Sequence, residues 1–176
     1  MTDKPSLMVR EFLVDDSKNT TKRYQTSFER SVEESWPEEA FQRHYCFFYG
    51  TLMDPDILSR VLKSSKKPPI MHRARVMGYQ VKLWGLYPAL LDGESLNPVD
   101  GMAYELRSQT QLDRLATYET EQYRLQACLI DLLSDDGVGK TIEGVTFVWN
   151  GEQDELKEGT FNLKQWKKEE QLRALD

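Results

Sequence analysis

Apolar and polar positions change their spacing several times along the chain, and each change marks a new element. Residues 1 to about 20 are polar and weakly patterned, as in an arm rather than a core element. Tyr24, Phe28 and Val32 then recur every fourth residue ahead of Pro37, which predicts a helix over about 21–36 docking by one face. The run HYCFFY that follows reads as a short buried strand. Asp54-Pro55 supplies an N-cap acceptor and a proline for the first helical position, and Ile57, Leu58, Val61 and Leu62 give the next helix its apolar stripe.

KSSKKPPIMHRAR reads as a polar, proline-containing linker. RARVMGYQVKLW alternates as one strand, YPALL is a short apolar piece, and VDGMAYEL is a further strand. Ser108 with Gln111 three residues on forms a capping-box signature, predicting a helix from about Gln109 to near Glu119. YRLQACLIDLL and IEGVTFVW then read as strands joined by a hairpin at Asp136-Gly137. A final amphipathic helix starts at Asn162 and runs through Gln165, Trp166 and Leu172.

Strands dominate the middle of the chain and the helices do not alternate regularly with them. The expected class is therefore α+β: a small mixed or antiparallel β-barrel flanked by helices. The expected organisation is an N-terminal arm with a helix, 1–43, and one domain, 44–176. A chain of 176 residues is long enough for a single real core.

Composition narrows the partners. A net charge of −6 argues against a nucleic-acid binder, which needs a concentrated basic surface. Cys46 and Cys128 both lie in apolar, strand-like runs, where a thiol behaves as a small hydrophobe. Reduced thiols and a cytoplasmic location are expected, with no signal peptide or membrane anchor legible. His44 and His72 are the two histidines and sit in no metal-binding spacing. With GxSxG, GxxxxGK[ST] and GxGxxG also missing, neither a metal nor any other cofactor is expected. Oligomeric state is not legible.

Two features carry candidate chemistry. The helix after Ser108 places Leu112, Leu115 and Ala116 on one stripe, and the same series lands on Glu119. A carboxylate facing a core acquires a raised pKa suited to proton transfer; at a frayed helix end it would instead turn to solvent or pair with Arg124, and pattern alone leaves both open. The second feature is the joint YGTLM, where a glycine lets the chain turn and the following amides approach a helix N-terminus, a modest anion cradle. Pattern alone also admits a plain strand-to-helix turn there.

FFYGTLM (47–53), YPAL (87–90), VDGMAYEL (99–106), LATYETEQYR (115–124), GVTFVW (144–149) and a late Leu156, Gly159, Phe161, Trp166 series occur in that order. On these motifs the sequence resembles the γ-glutamylcyclotransferase-like family, including its plant and fungal avirulence-induced branch, over roughly His44 to Trp166. The resemblance implies a compact barrel whose cradle, Tyr49, Gly50, Thr51 and Leu52, holds the α-carboxylate of a small γ-glutamyl substrate. It implies Glu119 as catalytic acid and base in releasing 5-oxoproline, chemistry associated with glutathione metabolism, and Tyr123 as a pocket wall or hydrogen-bond donor. Two departures stand out: Thr120 occupies a position where some relatives have glycine, and Glu121 is a rival acid. A non-catalytic small-anion-binding or regulatory module, or a proton-transfer enzyme acting on a secondary metabolite, are the competing functions on the same fold.

Overall fold

A computed structural model describes residues 40–64 and 67–175. Packing separates Met1–Phe41 from Gln42–Asp176, and every element below belongs to the second unit. The helix expected over 21–36 lies outside the described residues. In chain order the elements are β1 (His44–Phe48), a 3-10 turn (Thr51–Met53), α1 (Pro55–Val61), β2 (Met71–Met77), β3 (Tyr79–Trp84), β4 (Tyr87–Asp92) and β5 (Pro98–Leu106). There follow α2 (Gln109–Glu119), β6 (Tyr123–Ser134), β7 (Gly137–Trp149), a second 3-10 turn (Gln153–Glu155) and α3 (Leu163–Arg173).

Five strands close a barrel in the order β1-β5-β2-β6-β7, while β3 and β4 pair as a separate two-stranded sheet. The barrel is mixed: β1 and β7 run parallel, and the other neighbours run antiparallel. Closure leaves none of its five strands as a free edge. Phe47, Ala103, Val76, Ile130 and Val148, one from each barrel strand, meet in the core with Leu90 of β4. Tyr45 and Tyr49 share that side with Phe47, as the two-residue period of a strand requires. Cys46 and Phe48 take the alternate positions and are buried too. With both faces dry, β1 reads as a continuous apolar run.

The structure corrects three sequence expectations. The segment expected as a linker is strand from Met71 onward: Ala74 and Val76 are buried, while Arg73 and Met77 stay exposed. Basic residues on the wet face masked the alternation, and one of them, Arg75, pairs with Asp100 on β5 at 2.5 Å. The single strand expected over 73–84 is two strands. Gly78 adopts φ +84°, a conformation open to glycine, and the chain leaves the barrel there for the smaller sheet. On α2, the buried residues are Leu115 and Tyr118, whereas Ala116 is exposed and Leu112 half-buried. Tyrosine reads as semi-polar in a pattern, yet its ring packs as a large hydrophobe.

All three helix starts are capped as expected. Asp54 Oδ1 accepts from the amides of Asp56 and Ile57 at 2.9 and 3.1 Å, with Pro55 at the first helical position. Ser108 Oγ accepts from the Gln111 amide at 3.2 Å, although the Gln111 side chain accepts from the Arg107 amide rather than closing the box on Ser108. Asn162 Oδ1 accepts from the Gln165 amide at 3.1 Å. Asp54 has a second duty, an ion pair with Lys167 that joins the start of α1 to α3.

Burial pushes the Asp54 carboxyl up, but the Lys167 ammonium and the two amides outweigh it and hold its pKa below the ordinary value. A depressed carboxylate contributes stability that is present above its unfolded pKa and lost as pH falls through the folded one. In urea unfolding at neutral pH, Asp54→Ala is expected to cost about 1–3 kcal/mol, more than Asp54→Asn, which keeps an N-cap acceptor. The Asn variant is also expected to lose part of the acid-induced fall in stability that the wild type shows.

Candidate active site

The stretch between β1 and α1 is fixed from three sides. Tyr49 donates its hydroxyl to the carbonyl of Phe147 on β7 at 2.6 Å and accepts from the amide of Leu90 on β4 at 3.3 Å. Gly50 lies against Pro88, whose ring is 2.9 Å from where a Cβ would sit, so a side chain at this position would displace the proline. The Met53 amide donates to Gly50 O and the Asp54 amide to Thr51 O, both at 3.1 Å, closing the 3-10 turn. The first N–H groups of such a turn, here those of Thr51 and Leu52, find no partner inside it. Thr51 is buried and its hydroxyl meets that of Tyr118 at 2.7 Å, tying the turn to α2.

Glu119 ends α2. Its surface is half-buried, and its carboxyl is enclosed enough that desolvation raises its pKa from 4.5 to about 8. No described cation compensates it: Glu119 forms no ion pair with Arg124, which is exposed. Its neighbours are thiol and phenol groups instead. Burial, then the charge of Glu119, raises the pKa of Cys46, Tyr118 and Tyr123, and Glu119 adds to the upward shift of Tyr49 behind burial and Tyr123. The acid is therefore electrostatically adjacent to the joint and to β1, although it comes from an element some 70 residues later in the chain.

The structure brings Glu119, Tyr49, Thr51 and Tyr123 together. Tyr123 is buried, stacks edge-on against Trp149 at 5.6 Å, and donates its hydroxyl to Pro88 O at 2.9 Å. That proton is committed within the protein, which leaves Tyr123 as a wall. The Tyr49 side chain is likewise committed, so the joint presents its backbone. Glu121, the rival acid, is exposed, and its carbonyl accepts from Asn150 Nδ2 at 3.1 Å. Sequence reasoning missed Tyr118, Tyr87, Pro88 and the placement of Trp166. Pro88 lay within a quoted motif, YPAL, but nothing in the sequence says that it packs under Gly50. Among the described residues no group of three or more histidine, cysteine or acidic side chains could hold a metal ion.

The residue after Glu119 is conformationally unusual. Thr120 has φ 62° and ψ −177°, a region essentially reserved for glycine that costs a β-branched residue on the order of 1–3 kcal/mol. It is held there by its amide, which donates to Ala116 O at 3.0 Å and closes the helix, and by a weak bond from the Gln122 amide to its hydroxyl at 3.5 Å.

A closed five-stranded mixed barrel flanked by helices defines the γ-glutamylcyclotransferase-like class of fold. The family model for "Gamma-glutamyl cyclotransferase, AIG2-like" matches residues 46–168, and the chain belongs to this family. Among curated proteins it is similar to AIG2-like protein D of Arabidopsis thaliana, 26% identical over 129 residues covering 70% of this chain and 79% of that one. AIG2-like protein A of the same plant is 26% identical over 132 residues, 74% of this chain and 76% of its own. Two solution structures of Arabidopsis thaliana proteins share the fold, one with a TM-score of 0.55 at 24% identity, covering 78% of this chain and 89% of that one. The other has a TM-score of 0.57 at 22% identity, covering 76% and 78%.

Two outcomes test this geometry. A glutamate with a folded pKa above its unfolded value binds more protons when folded, so its contribution to stability falls as pH rises from about 4.5 to about 8 and then levels off. Thermal unfolding across that window is expected to show this loss in the wild type and a flatter profile in Glu119→Gln. Thr120→Gly is expected to raise stability by about 1 kcal/mol, the relief of strain exceeding the entropy that glycine adds to the unfolded chain; denaturant unfolding reads it directly.

Proposed function

We propose that the protein is a γ-glutamylcyclotransferase that converts a γ-glutamyl amide into 5-oxoproline and a free amine, with Glu119 as general acid and base. The observation that carries this reading is an enclosed carboxyl with a pKa of about 8 beside the turn at residues 49–52. Membership of a family whose description names this chemistry supports it.

In the proposed reaction the substrate's α-carboxylate sits against the first amides of the Thr51–Met53 turn, where outward N–H groups favour an anion. Its α-ammonium group lies toward Glu119. The Glu119 carboxylate takes one proton from that ammonium, and the freed amine attacks the γ-carbonyl carbon, forming the new C–N bond of a five-membered ring. Glu119 returns the proton to the nitrogen of the departing amine as the old C–N bond breaks, and the second proton, shed by the ring nitrogen as it becomes a lactam N–H, goes to the same amine, which leaves as an ammonium. No atom of the protein joins the substrate covalently, because the nucleophile arrives with it.

The pKa of Glu119 suits both halves of this cycle. A carboxyl raised to about 8 lies much closer than an ordinary carboxylate to the pKa of an α-ammonium group, so proton exchange between the two costs less free energy in either direction. The bound ammonium also favours the ionised acid, so binding draws a proton off the enzyme. Holding the amine against its own carbonyl supplies much of the rate, with acid–base transfer adding about a hundred- to ten-thousand-fold.

Incubation with γ-glutamyl amino acids, γ-glutamyl amines and glutathione is expected to release 5-oxoproline, with kcat/KM rising with pH toward about 8 as Glu119 ionises. Glu119→Gln should keep ligand binding and lose turnover; full activity in that variant would reject the assignment. Thr51→Pro should weaken binding by removing one amide, and Thr51→Val, which removes the contact with Tyr118 but keeps the amide, should weaken it less. Binding in the wild type without product would point to a non-catalytic module.

A further inference from the structure

Among the described residues, two buried donors next to this site have no hydrogen-bond partner. Tyr87 begins β4 and Trp166 lies in the first half of α3. Their rings are 6.4 Å apart at 56°, and neither the Tyr87 hydroxyl nor the Trp166 Nε1–H finds a hydrogen-bond partner. Trp166 is only 8% exposed. An enclosed, unpaired polar group is costly in a folded protein, and native structures contain few. Two of them on facing rings are unusual enough to require an explanation.

Their position supplies one. Tyr87 precedes Pro88, which touches Gly50 and accepts the Tyr123 hydroxyl, and Tyr87 is close enough to Tyr118 and Tyr123 to act on both electrostatically. Those two tyrosines flank Glu119. The unpaired donors thus lie within electrostatic reach of the tyrosines next to Glu119. Charge there is nearly balanced: burial raises the Tyr87 hydroxyl to about 12, Glu170 adds to the rise and Arg173 opposes it, and these two side chains pair with each other at 3.4 Å. An indole N–H can only donate, so what the seam between β4 and α3 lacks is an acceptor.

We infer that Tyr87 and Trp166 form a leaving-group subsite, their O–H and N–H donating to an oxygen of the amine half of a γ-glutamyl amide, as in a γ-glutamyl amino acid. This rests on the proposed function and adds its substrate class. The Tyr87 ring is half-buried, so the pair lies close beneath the surface. A γ-glutamyl alkylamine, which has no oxygen in its amine half, leaves both donors unpaired and is the poorer substrate.

The test compares a γ-glutamyl amino acid with a γ-glutamyl alkylamine of similar size in the full-length wild type, Tyr87→Phe and Trp166→Phe. The ratio of their kcat/KM values is expected to favour the amino acid in the wild type and to fall about tenfold in each variant, the loss of one hydrogen bond. Tyr87→Phe keeps the ring and removes only an unpaired hydroxyl, so its melting temperature should stay level or rise. An unchanged ratio in both variants overturns the inference and leaves the proposed function intact. A marked fall in the melting temperature of Tyr87→Phe also overturns it, since the hydroxyl would then have a partner within the fold. If the wild type neither binds nor turns over either compound, the proposed function fails and the subsite with it.

Discussion

The hydroxyl of Tyr49 ties three strands together at the point where the candidate site begins. It caps a carbonyl of β7, receives an amide from β4, and stands at the point where β1 gives way to the turn. Through this group the two-stranded sheet is fastened to the end of the barrel, and Pro88 is delivered beneath Gly50. A buried phenol with both its donor and acceptor roles filled is a rigid element, since losing either bond would leave a main-chain group unsatisfied in a dry interior. The shape of the turn, and the direction in which its amides point, follow from that rigidity.

Around this fixed point the protein assembles an acid without a counter-charge. The charge of Glu119 acts on Cys46, Tyr49, Tyr118 and Tyr123, groups that are neutral at ordinary pH and whose own ionisation it discourages. Such a setting pushes a carboxyl toward its protonated form without quenching it in a salt bridge. The acid is placed by the last turn of α2, and the chain leaves that helix through Thr120 in a conformation threonine tolerates poorly. Strain immediately beside an enclosed acid fits a pattern in which local stability yields to the geometry a site needs.

The C-terminal helix closes the arrangement from outside. Lys167 reaches the N-cap of α1, so the charge that stabilises Asp54 also positions α3. One helical step away, Trp166 turns inward to face Tyr87. The same helix therefore supplies one side chain whose polar demand is met and another whose demand is open. The contrast separates an ion pair that builds the fold from a donor that awaits a ligand.

Much of this was legible in the sequence because the signals are local. Asp54-Pro55, Ser108 and Asn162 start helices through bonds to amides two or three residues away, and β1 announced itself by burying both faces. Helical periodicity put Glu119 on the stripe of Leu115 but left open whether it turns inward or out to solvent. Tertiary structure decided that β2 and β3 part at Gly78, because the one-residue shift of the apolar phase there fits a bulge within one strand as well as a change of sheet. It also decided that Tyr118 rather than Ala116 faces inward, that the Tyr49 and Tyr123 hydroxyls are spent on distant carbonyls, and that Trp166 meets Tyr87. Periodicity reports which side of an element is dry; which partners fill that side depends on how the barrel closes, and that closure joins residues as much as a hundred positions apart.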